Sequence, residues 1–519
     1  MASVRVISGA IIGLDAQPVE VEVDSTPGLH LFNIVGLPDK SVKESKDRIA
    51  AAIRNCGFIS PNQKNRRIVV NLAPADIKKE GSSYDLAIAL GYLLATKQLE
   101  LNDKKRVFVG ELSLDGELRR VSGILPLAFM AKKHGYKEII VPFPNAKEAS
   151  IVRGIKVIGA NNLKQLTEYL LGKTEIIPTL PSEPTPLNSL VDGYDDAVID
   201  MASIKGQENA KRALIIAAAG GHNILMSGPP GSGKTLLAQA CAGILPPMDY
   251  DESVEVTKIY SICGMVNESP FVINRPFRNP HHTASAVAVI GGGSNPRPGE
   301  ISLAHRGVLF LDELPEFPRS VLESLRQPME NGEVIVSRAA GSVKFPARFM
   351  LVAAMNPCPC GNFGDNLKTC LCSALSVQKY QRKVSGPVLD RIDIQIIVPR
   401  QTYDKLNSEQ NGQTSVEIKQ VIAKARAVQL ARFKNHRLKT NCEMRPKEIK
   451  QFCGLGNEAE SMIKDIVTKN FLSGRGYHRI LKIARTIADV DNSQNITANI
   501  IAEASNYRLK MDADNDQLN

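Results

Sequence analysis

The sequence predicts an α/β protein in which a P-loop nucleotide-binding core with a helical lid follows an α+β domain. Three observations carry this prediction. A phosphate-binding loop stands between a short apolar segment and a helical one, the first third mixes strand-like and helical patterns, and the last region is helical throughout. The predicted parts are a first domain at 1–172, a linker at 173–197, the core at 198–400, the lid at 413–509 and an acidic tail at 510–519.

The first domain alternates between the two patterns of secondary structure. Val19–Val23 and Arg67–Asn71 alternate like strands, whereas Ser41–Ile53 and Tyr84–Ala95 have helical spacing. The segment Ile177–Pro186 then contains four prolines, which favour an extended, semi-rigid linker. The mixture predicts an α+β domain that is separate from the core.

Composition limits the possible partners and surroundings. The chain has 519 residues and a net charge of +10, so a polyanionic partner is plausible, although a solvated basic surface gives the same number. No apolar run reaches the ~18 residues of a membrane span. Nine cysteines, an odd number, without a convincing signal peptide predict a reducing cytoplasm and no membrane.

The core begins with a complete phosphate-binding loop. Asn223–Ser227 reads as a buried strand, and the residues after the loop read as a helix, which is the context that the motif requires. Lys234 would meet the β- and γ-phosphates of ATP, and Thr235 would bind Mg²⁺. The loop consists of Gly228, Pro229, Pro230, Gly231, Ser232, Gly233, Lys234 and Thr235.

Two further buried strands end in polar residues that suit hydrolysis. Gly307–Glu313 ends in a carboxylate pair, of which Asp312 would hold the Mg²⁺ shell and Glu313 would polarise the attacking water. Phe349–Asn356 ends in an amide, and Asn356 would orient that water or touch the γ-phosphate. Together with the loop, these residues predict a Mg²⁺-dependent ATPase.

Four segments together resemble an AAA+ ATPase of the magnesium-chelatase-like branch. With the first domain included, nearly the whole chain is similar to the ComM/YifB family. The segments are Gly206–Glu208, Asp312–Glu313, Asn356–Pro357 and Ser385–Asp393.

The resemblance implies a homo-oligomeric ring, expected to be a hexamer. It makes Arg391 an arginine finger that reaches the neighbouring subunit's site, and Arg475 a sensor in the lid, with Arg479 as the second choice. A finger delivered by a neighbour makes hydrolysis depend on assembly, because phosphoryl transfer needs positive charge at the γ-phosphate.

Two basic segments of the core are candidates for contact with DNA. Phe277–Thr283, with Ile290–Gly293 and Arg297–Glu300 after it, is similar to the loop insertion that related rings direct into their pore. Its Arg278, His281 and His282 would meet phosphates. Ile335–Phe345 reads as a hairpin turning at Gly341. Its Arg338 and Lys344 are the second candidates. A packed loop and a solvated hairpin are the alternatives.

Four cysteines follow Asn356 closely. Two C-x-C pairs joined by a polar loop can converge on one tetrahedral ion, most simply Zn²⁺. Free thiols and an iron–sulfur cluster remain open alternatives. The four residues are Cys358, Cys360, Cys370 and Cys372.

The first domain is similar to the Lon-protease-like domain, which uses a Ser–Lys dyad. Ser83 falls near the nucleophile position, but Leu125 stands where the dyad lysine is expected. Without an amine to accept its proton, a serine hydroxyl is a weak nucleophile. We therefore expect a proteolytically inactive domain that serves assembly or docking.

Two classes of polymer suit such a ring. The resemblance implies a helicase that promotes branch migration of recombination intermediates during DNA uptake, with single-stranded or branched DNA and recombination proteins as partners. A basic stretch of the lid agrees with this, although a solvated helix face is the alternative. A protein-remodelling chaperone or chelatase-like motor is the competing function, although no D-x-S-x-S motif marks a fused chelatase partner. The basic residues are Lys419, Lys424, Arg426, Arg432, Lys434, Arg437, Lys439, Arg445, Lys447 and Lys450.

Overall fold

The computed structural model of the chain divides into two compact units. Unit 1 comprises 1–187 and 250–273, and unit 2 comprises 188–249 and 274–519. The structure describes residues 3–101, 105–181, 199–266, 271–293, 296–338, 341–365, 367–407, 412–436, 438–469 and 472–516.

Unit 1 is built on a seven-stranded mixed sheet in the order β3-β4-β2-β1-β5-β8-β9. The strands β1, β2 and β4 pair antiparallel, whereas β1, β5, β8 and β9 run parallel. Strands β6 and β7 form a separate small ladder. The strands are β1 (Val4–Ile12), β2 (Asp15–Pro27), β3 (Leu31–Val35), β4 (Arg66–Ala73), β5 (Arg106–Phe108), β6 (Glu111–Leu112), β7 (Leu118–Arg119), β8 (Glu138–Pro142) and β9 (Lys156–Ala160).

Helices cover this sheet, and one of them comes from a distant part of the chain. The chain enters unit 1 again at Tyr250, although the sequence placed 250–273 inside a continuous core domain. The reason is burial: α8 packs on α3, and the Ser261 hydroxyl donates to the buried carboxylate of Glu148 at 2.5 Å. The helices are α1 (Lys40–Asn55), α2 (Asp85–Ala95), α3 (Ile124–Lys133), α4 (Phe143–Ala149), α5 (Leu163–Leu170) and α8 (Tyr250–Ile262).

Unit 2 contains a five-stranded parallel sheet in the order β11-β14-β17-β10-β18. Short antiparallel ladders join β12 with β13 and β15 with β16. The first strand of this sheet along the chain, β10, lies between β17 and β18. From β10 the chain passes to the strands on the β17 side and adds β18 on the other side last, so the strand order reverses at β10, and crevices form at the carboxyl ends of strands at such a reversal. The strands are β10 (Ile224–Ser227), β11 (Phe277–Arg278), β12 (Gly291–Gly292), β13 (Arg297–Pro298), β14 (Val308–Leu311), β15 (Glu333–Arg338), β16 (Gly341–Pro346), β17 (Met350–Met355) and β18 (Ile394–Ile397).

The helices of unit 2 surround this sheet and continue into the lid. Apolar residues of α6, α7 and the lid helices α16 and α19 join the sheet in one buried core. The helices are α6 (Glu208–Gly220), α7 (Lys234–Ile244), α9 (Ala286–Ile290), α10 (Glu300–Leu303), α11 (Arg319–Ser324), α12 (Arg326–Asn331), α13 (Ala374–Gln381), α14 (Gly386–Leu389), α15 (Tyr403–Leu406), α16 (Ser415–Arg432), α17 (Pro446–Phe452), α18 (Asn457–Lys469), α19 (Gly474–Val490) and α20 (Ala498–Asp516).

The predicted α/β class is confirmed by the parallel sheet of unit 2 and the mixed sheet of unit 1. The last helix continues to Asp516, so the backbone does not break where the acidic tail was expected to begin. Most of the predicted proline-rich linker, 182–197, lies outside the described residues. Among the described helices, none combines the length and apolar character that a bilayer crossing needs.

Candidate nucleotide site and its surroundings

The phosphate loop lies at the carboxyl end of β10 and leads directly into α7. A Cβ on Gly228 would stand 2.2 Å from the Val398 carbonyl oxygen, so only glycine fits beside β18. Gly231 and Gly233 have φ values of 76° and 91°, a left-handed conformation that side chains disfavour. The glycines therefore fix a loop whose amides lead into a helix N-terminus, where a phosphate is stabilised.

Lys234 is buried within this loop. Its Nζ donates to the carbonyl oxygens of Gly228 at 2.7 Å and Pro229 at 2.9 Å. Burial lowers the pKa of the ammonium, the carboxylate of Asp312 acts in the opposite direction, and Arg400 lowers it further. These two carbonyl oxygens occupy N–H groups of Lys234 that would donate to phosphate oxygens if a nucleotide were bound.

The predicted magnesium ligands are brought together. Thr235 Oγ1 donates to Asp312 Oδ2 at 2.9 Å, across the gap between α7 and the end of β14. The other oxygen of Asp312 accepts from the Glu313 amide at 2.9 Å. A hydroxyl beside a carboxylate suits Mg²⁺, which prefers oxygen ligands and keeps several waters.

Glu313 stands at a sharp turn after β14. Its φ of 51° is left-handed, an arrangement that costs about 1–3 kcal/mol in a residue other than glycine and is frequent at functional sites. The turn leaves its side chain 53% exposed. A cavity of about 540 Å³ opens beside it, lined also by Asn356, Tyr380 and Lys383.

Sequence reasoning did not assign His282 to this site. Its Nδ1 lies 3.3 Å from a Glu313 oxygen. The ring lies against His281 at a tilt of 33°, with centroids 4.1 Å apart, and meets Phe317 edge-on. The position of His282 follows from the order of strands in the sheet. Because β11 neighbours β14, the loop after β11 emerges beside Glu313.

The remaining candidates for DNA contact in this loop also have partners. Arg278 forms two hydrogen bonds with Glu300, at 2.6 and 2.8 Å, and His281 pairs with Thr283 at 2.8 Å. The packed-loop alternative therefore describes this segment better than a loop of free cations.

Asn356 lies where the sequence placed it, at the tip of β17. Its Oδ1 is 3.4 Å from Lys234 Nζ. Gln207 is a supporting residue whose role the sequence did not indicate. Its amide bridges the carbonyls of Ser232 at 3.1 Å and Pro399 at 2.7 Å, and so ties the phosphate loop to the chain after β18.

The predicted arginine finger does not join this site within one chain. The guanidinium of Arg391 donates to the Pro387 carbonyl at 2.6 Å and pairs with Glu330. Its side chain is 9% exposed, and its Nε is buried without a hydrogen-bond partner among the described residues. A buried donor left unpaired is unusual in a folded protein.

The two candidate sensors differ sharply in their surroundings. Arg475, in the first turn of α19, is exposed and has no ion pair among the described residues. Arg479, one turn later, pairs with Asp393 at 3.4 Å, while its Nη1 is buried without a partner in the described part of the chain. From α20, Arg508 pairs with Asp390 at 3.3 Å.

Asp393 is the centre of this arginine cluster. Its carboxylate also accepts from the Asn223 amide at 3.3 Å and faces His222 Nδ1 at 3.4 Å. Burial acts to raise its pKa, but His222 and Arg479 outweigh burial and lower the pKa to about 2. Two lid helices thus hold the segment that carries Arg391.

The four clustered cysteines converge. Their sulfur atoms all lie within 4.8 Å of one another, and three pairs measure 3.4, 3.5 and 3.6 Å. A tetrahedral ion with Zn–S bonds of about 2.3 Å sets its sulfur atoms about 3.8 Å apart. A cluster of several irons distributes its thiolates over different irons and needs a wider cage. The geometry therefore fits a single tetrahedral ion.

Several basic residues of the lid are structural. Arg432 donates to the buried Asp489 at 2.8 Å, and Lys439 pairs with Asp249 at 2.7 Å. Lys419, Lys424 and Lys434 are exposed.

The predicted basic hairpin is described only in part. Strands β15 and β16 form it, and Lys344 pairs with Glu333 at 3.2 Å. Gly341 pairs with Arg338 across the ladder, so it begins β16, and the turn itself lies outside the described residues. The side chains of Arg338 and Arg437 also lie outside the described part of the chain.

In unit 1, the position expected to hold a protease's lysine is apolar and sealed. Leu125 is fully buried on α3, and its amide donates to Glu148 at 3.2 Å. Ser83 is half-buried ahead of α2, and its carbonyl oxygen accepts from the Gly110 amide at 2.9 Å.

Three models of magnesium chelatase subunit ChlI match the chain in succession. They are subunit ChlI of Mg-chelatase at 21–145, magnesium chelatase subunit ChlI at 200–406, and the ChlI C-terminal model at 412–508.

Relatives named ComM and YifB match almost the full length of the chain, and a magnesium-chelatase subunit matches part of it. The chain is 44% identical over 513 residues to the competence protein ComM of Haemophilus influenzae, covering 98% of both. It is 41% identical over 501 residues to the uncharacterized protein YifB of Escherichia coli, covering 96% of both. A magnesium-chelatase 38 kDa subunit of Rhodobacter capsulatus is 28% identical over 177 residues, covering 31% of this chain and 51% of that protein. The chain belongs to the ComM/YifB family of magnesium-chelatase-like ATPases.

Proposed function

We propose that this protein is a Mg·ATP-dependent motor that assembles into a ring, expected to be hexameric, and acts on DNA. Its role is that of a helicase promoting branch migration of recombination intermediates during natural transformation. The convergence of Lys234, Thr235, Asp312 and Asn356 carries the ATPase part of the proposal. Full-length similarity to a protein named for competence carries the DNA part.

The chain's residues divide the work of hydrolysis. Lys234 binds the β- and γ-phosphates, exchanging its carbonyl partners for phosphate oxygens. Thr235 and Asp312 would hold Mg²⁺, which when bound would neutralise charge on the phosphate oxygens. Glu313 orients a water towards the γ-phosphate and takes its proton, and the adjacent cavity gives that water access. Asn356 contacts the γ-phosphate and reports its presence.

Two arginines complete the site from outside the phosphate loop. Arg391 acts on the neighbouring subunit's ATP, which accounts for its absence from its own site and for the lack of a partner for its Nε among the residues that the structure describes. Arg475, exposed at the start of α19, acts as the lid sensor. A head-to-tail interface that closes on itself generates a ring.

The cysteine cluster holds a structural zinc ion. Cys358, Cys360, Cys370 and Cys372 supply four thiolates, and a closed site of this kind leaves no position open for catalysis. When bound, the metal crosslinks the loop that follows Asn356.

The exposed lysines of the lid are a second, weaker support for DNA over protein. Lys419, Lys424 and Lys434 lie on or directly after α16 without acidic partners among the described residues. Clustered exposed cations suit a phosphate backbone and give binding that weakens with salt.

ATP hydrolysis by the purified chain tests the proposal. The assay compares no polymer, single-stranded DNA, four-way DNA and an unfolded protein, each with a Glu313→Gln variant as blank. We expect stimulation by DNA that is strongest on branched forms and falls with salt, and at least ~100-fold slower turnover by the variant with ATP binding retained.

Two results would overturn parts of the proposal. Stimulation by the unfolded protein but by no DNA would identify a protein-remodelling motor. Equal turnover by parent and Glu313→Gln would remove Glu313 from the water-activating role.

A further inference from the structure

The cysteine cluster and the phosphate loop are in direct contact. Gly361, between the two cysteine pairs, is buried, and its amide donates to the Cys358 carbonyl at 3.0 Å. A Cβ placed on Gly361 would stand 2.5 Å from Pro230 Cδ and 3.8 Å from Asn356 Cγ. The loop that carries the four cysteines, the cysteine loop, therefore packs against both the phosphate loop and the tip of β17.

A second contact ties the same loop to the far side of the nucleotide site. The Asp365 side chain, only 4% exposed, accepts from Arg400 Nε at 2.8 Å. Arg400 follows Pro399, whose carbonyl is bridged to Ser232 of the phosphate loop through the Gln207 amide. The loop thus reaches the phosphate loop directly at Pro230 and indirectly at Ser232.

Turns and local hydrogen bonds, rather than regular secondary structure, hold the described part of the cysteine loop. Its described residues between Met355 and α13 form no helix or strand. Within 356–365, the Phe363 amide donates to Cys358 Sγ at 3.3 Å and the Asp365 amide donates to the Asn362 carbonyl at 3.1 Å. Gln381 donates to the Pro357 carbonyl at 3.1 Å. A bound tetrahedral ion would join four points of this segment, as structural zinc sites do in other small loops.

We propose that the metal-bound cysteine loop is the structural support of the nucleotide site, so that the affinity for ATP depends on the metal and on the contact of Gly361 with Pro230. This rests on the proposed function, since it deepens the role of the same ATP site. Pro230 transmits the contact because its Cδ is bonded to the backbone nitrogen, so any displacement of the ring moves the phosphate loop. Loss of the ion would loosen both the Pro230 contact and the Asp365–Arg400 pair.

Two glycines of the loop provide a matched test that leaves every cysteine in place. Gly361 and Gly364 both have left-handed φ values, 78° and 72°, so alanine strains the backbone similarly at both. Among the described residues, the new methyl group collides only at Gly361, because none of them lies within 4 Å of a Cβ on Gly364. A difference between the two variants therefore reports the contact with Pro230.

The experiment measures zinc content and the affinity of the full chain for a fluorescent, slowly hydrolysed ATP analogue with Mg²⁺. We expect one zinc per chain in the parent and in both glycine variants. Gly361→Ala should bind the analogue about tenfold more weakly, whereas Gly364→Ala should stay within about twofold of the parent. Cys372→Ser, or removal of zinc from the parent by a chelator, should also weaken binding, and added Zn²⁺ should restore it in the chelated parent.

Any other result would contradict one named part of the proposal. Equal affinity of the Gly361→Ala and Gly364→Ala variants would overturn the contact, and unchanged affinity after zinc removal would overturn the dependence on metal. Purification without zinc or with iron would overturn the identity of the ion. A parent that binds no nucleotide would instead overturn the proposed function, and this inference with it.

Discussion

The phosphate site and the arginine cluster of unit 2 are built from the same kinds of residue but in opposite ways. At the phosphate site, Thr235 and Asp312 contact each other across two elements at the carboxyl edge of the sheet. In the cluster, Asp393 is enclosed by His222 and Arg479. The phosphate site leaves polar groups that a ligand can contact, whereas the arginine cluster satisfies most of its own polar groups internally.

The difference shows which residues can act within one chain. Under the proposed function, Lys234, Thr235 and Asp312 would need only ATP and Mg²⁺ to complete their contacts. Arg391 is tied to Glu330 and Pro387 rather than to the phosphate loop, yet its buried Nε has no partner in the described part of the chain. An arginine in this position either serves a neighbouring subunit or merely fastens α14, and experiment can separate the two roles.

Arg391→Ala has the largest expected effect. If Arg391 serves the neighbouring site, ATP turnover should fall about 1,000-fold, because a finger supplies positive charge to the γ-phosphate in the transition state. Steady-state ATP hydrolysis measures the loss, and analogue binding should be retained.

Mixing variants distinguishes a finger from a fastening residue. Arg391→Ala keeps an intact phosphate site, and Lys234→Ala keeps an intact finger, so mixed rings contain some complete sites and should recover part of the turnover. No recovery despite confirmed co-assembly would show that Arg391 does not act between subunits.

Asp393→Asn should lower the free energy of unfolding rather than the rate of ATP hydrolysis. Because the folded-state pKa of about 2 lies below the ordinary value of 3.8, the ionised carboxylate stabilises the fold by about 2 kcal/mol. This contribution is complete above about pH 5 and is lost as the pH falls through about 2. The denaturation midpoint of the variant should therefore lie below that of the parent at pH 7, and the gap should narrow on acidification.

Two other aspartates serve as controls for this comparison. Asp390→Asn should cost little stability, since Asp390 is 46% exposed in its pair with Arg508. Asp312→Asn should abolish hydrolysis yet leave the denaturation midpoint nearly unchanged. A midpoint for Asp393→Asn equal to that of the parent at pH 7 would show that the cluster is not a structural centre.

Local patterns were enough to predict the elements of the phosphate site. The apolar runs before Gly228, Asp312 and Asn356 became β10, β14 and β17, because buried parallel strands read as short continuous apolar segments. Parallel strands bring their carboxyl ends to one edge, so the residues after them meet.

The interactions that the sequence did not reveal are those between distant segments. The pairing of Arg479 with Asp393 joins residues 86 positions apart, and neither stands in a pattern that names the other. Helix α8 buries polar residues such as Thr257 and Ser261 beside Val256 and Ile259, and nothing in its own residues assigns it to unit 1. The packing of Gly361 on Pro230 depends on a loop conformation that spacing does not encode.

The smallest expected effect concerns the exposed lysines of α16, which contrast with the buried arginines of the cluster. Lys419→Ala and Lys424→Ala should each weaken binding to DNA of any sequence, and each should reduce the slope of log affinity against log salt by about 1. Fluorescence anisotropy with a labelled single strand at several salt concentrations measures both quantities.

Lys464→Ala is the matched control, because Lys464 is also an exposed helical lysine but has acidic neighbours on α18, among them Glu460 and Asp465. Its salt slope should equal that of the parent. If all three variants keep the parent's slope, the basic surface of α16 is only solvated, and the DNA contacts of the ring must be sought on other elements.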